Sequence, residues 1–223
     1  MAQIGRSFPA TPIIFGRQRL ISRTRFYLPS TGAAAVTPAF SGDWEDTSIG
    51  ARRAAVTTLI SSAMTTLDFT DLDATDRDIL FRQWVTAPLN GAQTIEAGLV
   101  EIQFRVSETL ASNDMFLTWA IRVVSQDGLT ERGTVLAIRR DGTEVDTVLT
   151  NRGDAATGSA VAASNGDRIV FEVGTGGDPL LTHDTSLSVG DDHATDLPRD
   201  DSTTVANNPW IELPGTYLFS AET

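Results

Sequence analysis

Cysteine is absent from the 223 residues, which removes disulfide staples, thiolate metal sites and thiol nucleophiles together. Lysine is absent too: all 17 basic residues are arginine, the side chain suited to planar, bidentate pairing with carboxylates. Only His183 and His193 offer imidazole bases, and no G-x-S-x-G elbow accompanies them, so nucleophilic hydrolysis has poor support. No apolar run approaches the ~20 residues of a membrane span. The early run Ile13-Ile14-Phe15 falls far short of a secretory h-region. The chain therefore reads as soluble, off the membrane and made without Sec-dependent export. A formal charge of −12 argues against nucleic acid as a partner, because phosphate contacts require a basic surface. Helix signals are also scarce. Residues 46–63 are the best trial helix, yet their β-branched run and Gly50 oppose it.

What is present is alternation. In LVEIQFRVSE, Val100, Ile102, Phe104 and Val106 share one face while Glu101, Gln103 and Arg105 share the other, the pattern of a half-buried strand. MFLTWAIRVVS is apolar on both faces, which predicts a strand covered from both sides. GTVLAIRR and TEVDTVLTN flank Asp141-Gly142, a dipeptide favoured in hairpin turns. SNGDRIVFEVG repeats the device after Asn165-Gly166, with Ile169, Phe171 and Val173 inward. TRFYLP, AAVTTLI, DILFRQWVT, TSLSVG and PWIELPG read as further strands. Eight to eleven short strands with Gly, Asp and Asn turns predict an all-β chain: an antiparallel β-sandwich, jelly-roll-like, over residues 24–223.

Three groups of acids bear on chemistry. Glu101, Glu172 and Glu212 each lie in a strand, and a glycosidase pair needs carboxylates ~5–9 Å apart. Each occupies the polar phase of its strand, however, so the expectation is outward cross-strand pairing with Arg105, Arg122, Arg139 or Arg168. DLDATDRD gathers Asp71, Asp73, Asp76 and Asp78. A later stretch gathers Asp184, Asp191, Asp192, Asp196, Asp200 and Asp201 around the two histidines. Asp-rich loops can supply the six to eight oxygens that Ca²⁺ takes, but neither stretch matches the twelve-residue calcium loop, so a solvated acidic loop without a metal is the reading for both and a bound cation the alternative. Gly174, Gly176 and Gly177 follow a strand but precede no helix, so they make no phosphate cradle and no cofactor is expected.

The first 42 residues carry five arginines and no acid, whereas the remainder carries 12 arginines against 29 acids. Pro9, Pro12 and Pro29 with Gly5, Gly16 and Gly32 favour an extended path for this stretch. Phe8, Ile13, Ile14 and Phe15 supply apolar anchors, and Arg17, Arg19, Arg23 and Arg25 supply charge. Residues 1–23 therefore read as an extended basic N-terminal arm that lies on another surface. That surface is its own sandwich edge, a neighbouring subunit or an acidic shell protein.

RFYLP, the small-residue loop AAAVTPAF, the turn from Trp44 to Thr47, then RQWVTAPL, AIRVVSQDG, NGDRIVFEVG and PWIEL run in a fixed order. Over most of residues 24–214 this order resembles tailed-bacteriophage and prophage virion structural proteins with jelly-roll-like β-sandwich domains. The resemblance implies a particle component: a head decoration (cement) protein bound to the major capsid protein or another virion subunit, or an appendage protein. It also implies a homo-oligomer, a trimer by family analogy. The expectation is thus a non-enzymatic capsid decoration protein that acts by binding only the assembled shell. The alternative is a carbohydrate-recognising appendage domain, with Trp44, Trp84, Trp210 and Tyr27 as stacking platforms and Trp119 in the core. Exposure of those rings discriminates the two.

Overall fold

The computed structural model describes residues 22–47, 50–71, 75–177, 183–192, 199 and 207–222. Among them the chain forms thirteen strands: β1 (Arg23–Tyr27), β2 (Ala51–Ala54), β3 (Thr65–Asp71), β4 (Arg77–Val85), β5 (Gln93–Ile95), β6 (Gly98–Glu108), β7 (Met115–Val124), β8 (Glu131–Arg140), β9 (Thr150–Gly158), β10 (Val161–Ala163), β11 (Arg168–Gly177), β12 (His183–Val189) and β13 (Trp210–Pro214). The described residues contain no helix. The described residues of the trial helix over 46–63 form β2 and an irregular stretch, in keeping with its β-branched content.

Two large sheets face each other. One has the order β2-β4-β11-β7-β8, antiparallel except for the parallel pair β2–β4. The other pivots on β6. One edge of β6 carries β9 from Gly98 to Val106, and the opposite edge is shared by β13 at Glu101–Gln103 and β12 at Arg105–Glu108. β1 extends the sheet beyond β13, and β3 extends it beyond β12. β5 and β10 make a small separate pair. An all-β sandwich is the result; its strand count and parallel pair add to the eight antiparallel strands of a simple jelly roll.

The inward phase of each strand fills the space between the sheets. Phe26 meets Phe171 with ring centroids 5.0 Å apart, and Trp84 meets Phe104 at 5.6 Å, so the largest side chains bridge the two layers. Each fully buried side chain of this size contributes roughly 1.5–3 kcal/mol. A second, smaller cluster lies on the far side of the first sheet, where Val85, Val124 and Val170 pack under Ala34 and Val36. The segment after β1 therefore covers the outer face of that sheet. This third layer explains why β7 is largely apolar on both phases and why β11 is buried along its whole length, Glu172 included.

The structure corrects three expectations. No hairpin forms at Asp141-Gly142. The chain leaves β8, and residues 141–149 cross to the other sheet, where β9 pairs with β6. Asp141 is buried against Arg152, whose Nε donates at 2.6 Å, and Val145 enters the core, so burial at both anchors outweighs the turn dipeptide. AAVTTLI contributes only its first residue, Ala54, to β2 and then the bridge Tyr27–Val56, rather than a strand of its own. TEVDTVLTN contributes only its last two residues to β9.

Candidate functional site

The outer face of β1, β13 and β6 carries two of the four arginines that the sequence assigned to partner binding, Arg23 and Arg25. Register places Arg25 opposite Glu212, and Glu212 opposite Glu101, so two carboxylates stand side by side on neighbouring strands. Like charges so placed repel, and arginines flank them. Arg23 ion-pairs with Glu101 and, through Nε at 2.9 Å, with Glu212. Arg25 Nε donates to Glu212 at 3.1 Å, and Arg199 Nη1 lies 3.6 Å from Glu101. The Arg25 guanidinium also sits 3.9 Å over the Trp210 ring, which is 1% exposed. Arg23 and Arg25 are therefore engaged by the chain's own sheet. Phe8, Ile13, Ile14, Phe15, Arg17 and Arg19 lie outside the described residues.

Glu172 overturns its outward assignment. Its residue is 0% exposed because the segment between β1 and β2 covers this face. Arg122 Nη2 donates to Glu172 at 2.7 Å, Gln83 Nε2 at 2.9 Å, Trp44 Nε1 at 3.0 Å and the Ser41 N–H at 3.1 Å. A buried carboxylate is tolerated when donors of this number and charge surround it. The arrangement ties the covering segment to the sheet; it sets no second carboxylate against Glu172 for acid–base work. Nothing in the local alternation FEVG announces it, although the nearby signal was legible: a strand apolar on both phases needs a cover.

The remaining predicted acids divide similarly. Arg140 pairs with Asp76 at 2.6 Å and with Asp78 at 2.7 Å, although burial pushes the Asp78 carboxyl upward despite that guanidinium. Asp184 accepts from Thr70 Oγ1 at 3.0 Å. Asp73, His193, Asp196, Asp200 and Asp201 lie outside the described residues. His183 falls within β12, in register with Asp71, rather than in a loop. Among the described residues no three His, Cys, Asp or Glu side chains gather as metal ligands.

Two other buried acids were not anticipated. Burial raises Glu108 to about 7, helped by Glu144, Asp114 and Asp146 nearby. Burial likewise raises Asp141 to about 6 against the pull of Arg152. All four indoles are buried: Trp44 is 6% exposed, Trp210 1%, and Trp84 and Trp119 0%. Trp84 Nε1 donates to the Pro29 carbonyl at 3.0 Å and Trp119 Nε1 to Asp154 at 2.9 Å. No indole presents a face on which a sugar could stack. An apolar cavity of about 310 Å³ opens between Phe26, Ala55, Ile60, Ala87 and Phe219, and it contains no titratable side chain.

No protein-family model matches the sequence, and no curated protein matches it. Among solved structures, a CocE/NonD family hydrolase from Staphylococcus aureus is similar at a TM-score of 0.49 and 12% identity, over 87% of this chain and 37% of that one. An α-amino acid ester hydrolase is similar at 0.43 and 13%, over 86% and 36%. The VP2 subviral particle of infectious bursal disease virus is similar at 0.25 and 10%, over 82% and 42%. This chain spans little more than a third of either hydrolase. At such TM-scores and identities these likenesses assign it neither an activity nor a partner.

Proposed function

We propose that this chain is a non-enzymatic virion structural protein, a β-sandwich that decorates an assembled phage head and stabilises it. The observation that carries this reading is the junction between arm and sandwich. An acid-free, arginine-bearing stretch runs directly into strand β1, and its last two arginines lie on the paired acids Glu101 and Glu212. Basic strand on acidic sheet is thus a mode of attachment that this chain already uses within itself. The three arginines upstream, Arg6, Arg17 and Arg19, with Phe8, Ile13, Ile14 and Phe15, have the chemistry to repeat it on a neighbouring subunit or on the major capsid protein. The order of strand and turn motifs that resembles phage structural proteins supports the same reading. Stabilisation follows from mass action, because a protein that binds the assembled shell and not its free subunits shifts assembly toward the shell.

Mass spectrometry of particles purified from cells that express the whole virion tests this. The expected result is the chain in fixed proportion to the major shell protein, and particles that contain none of it overturn the reading. Light scattering of the full chain beside a variant lacking residues 1–21 then separates the arm's roles. An oligomer that falls to monomer on truncation makes the arm a strap between copies, whereas an unchanged oligomer reserves it for the shell.

A further inference from the structure

Most of the described arginines stand against a carboxylate, as Arg23, Arg122, Arg140, Arg152 and Arg168 do. Arg53 and Arg82 break the pattern: among the described residues they donate only to peptide carbonyls. The parallel pairing of β2 with β4 sets Arg53 opposite Trp84 and Arg82 opposite Ala51, so the two arginines are diagonal neighbours on one face. Trp84 packs against Phe104 of the other sheet, so that face is the inner one, at the margin where β2 ends its sheet. With 29 acids in the chain, a shortage of carboxylates does not explain two arginines set here without one.

The two side chains share one oxygen. Arg53 Nε donates to the Ser30 carbonyl at 2.9 Å, and Arg82 Nη1 reaches the same oxygen at 3.4 Å. The donor nitrogens are therefore no further apart than those two distances together. Hydrogen bonds of about 2.8 Å to neighbouring oxygens of a single anion cover such a gap. Arg82 is 7% exposed, and its Nε is buried with no acceptor. Burial pulls its guanidinium down to about 10, and the charge of Arg53 adds to the pull. One neutral carbonyl does not balance two cations, and a buried charge is costly until an opposite charge pairs with it. Arg53 is only half-buried, so the pair can be reached from solvent.

We propose that Arg53 and Arg82 bind a small dianionic oxyanion of the phosphate class at the margin of β2. Two guanidiniums call for two negative charges, which a phosphate dianion carries and a carboxylate does not. The chain's net charge of −12 repels a polyanion, so the ligand is a free anion rather than a phosphate of nucleic acid or of a lipid surface. A water at Arg82 Nε would satisfy the donor and leave both charges unbalanced. The site is independent of the virion reading and stands or falls separately.

Thermal melts of the full-length protein at mildly alkaline pH test the site, in inorganic phosphate beside acetate and chloride of equal ionic strength. Phosphate stabilises any folded protein by exclusion from its surface, and that effect grows without saturating. A specific site adds a rise in melting temperature that sets in at low millimolar phosphate and follows a binding curve. Arg53→Gln changes a half-buried residue of an edge strand, so it folds even if a core variant does not. Arg82→Met keeps the aliphatic stem and removes the unpaired charge. Each is expected to weaken the binding curve for phosphate at least tenfold. In chloride, Arg82→Met is expected to melt no lower than wild type, because Arg53 still holds the Ser30 carbonyl. A lower melt in chloride makes the pair a structural tie to Ser30 and overturns the proposal. So does the absence of a binding curve in the wild type, an equal one in Arg53→Gln, or one that acetate reproduces.

Discussion

Replacing Arg122 with methionine leaves Glu172 as a buried carboxylate with only neutral donors: Gln83, Trp44 and the Ser41 N–H. The Glu172 side chain is 1% exposed and that of Arg122 8%, so water is in no position to take the place of the guanidinium. Breaking a buried ion pair by removing one partner costs about 3–5 kcal/mol. The same guanidinium also donates to the Ala39 carbonyl at 2.8 Å and to Glu131 at 3.1 Å, which places the expected loss in the upper part of that range. Methionine retains much of the aliphatic stem, so the loss does not arise from an emptied cavity. Against a total stability of about 5–15 kcal/mol, the change is easily measured. Urea unfolding followed by indole fluorescence suits the case, because the Trp44 indole donates directly to Glu172 at 3.0 Å. Glu172→Gln keeps the shape and removes the charge, and its expected cost is about 1.5–3 kcal/mol. The double variant should fall short of the sum of the single costs by more than about 1 kcal/mol, since the two residues share one interaction. An Arg122→Met protein within about 1 kcal/mol of wild type, or strict additivity in the double variant, would refute a buried, charge-dependent clamp between the covering segment and the sheet.

Acidification should stabilise the protein before it unfolds it. Glu108 rises from 4.5 to about 7 and Asp141 from 3.8 to about 6 on folding, so between these limits the folded state binds more protons than the unfolded one. Stability then increases as pH falls from about 8 toward 5, by roughly 2–3 kcal/mol from Glu108 if its shift is expressed in full. A thermal melt at pH 5 below that at pH 8, or a Glu108→Gln variant with the wild-type pH slope, would count against this. Gly174→Ala should prevent folding, because the new Cβ would sit 1.8 Å from the Ile79 carbonyl oxygen at the bulge between β4 and β11; a soluble variant with a wild-type melt would disprove that close approach. Arg25→Ala exposes Trp210 and removes one Glu212 pair, with an expected loss of about 1–2 kcal/mol and a red-shifted indole emission. An unchanged spectrum would show that the guanidinium does not cover the ring.

The strands were legible because alternation is a local property. Val100, Ile102, Phe104 and Val106 declare their face within one decapeptide, and both-face apolarity marked β7 as a covered strand. The absence of cysteine, the arginine-only cations and the acid-free arm were likewise readable from composition alone. Other features depended on partners distant in sequence. Glu172 looks outward by alternation and is buried because Ser41 and Trp44, some 130 residues earlier, lie over it. Asp141-Gly142 looks like a hairpin, yet the chain crosses between sheets because Asp141 and Val145 gain more from burial than a tight turn offers. Asn207 looks like an ordinary loop amide until the fold sets it over the turn at Gly190. Periodicity tells a side chain which side of its own strand it occupies. What waits on that side is decided only when distant segments meet, because burial and electrostatic pairing are properties of the assembled layers rather than of any one strand.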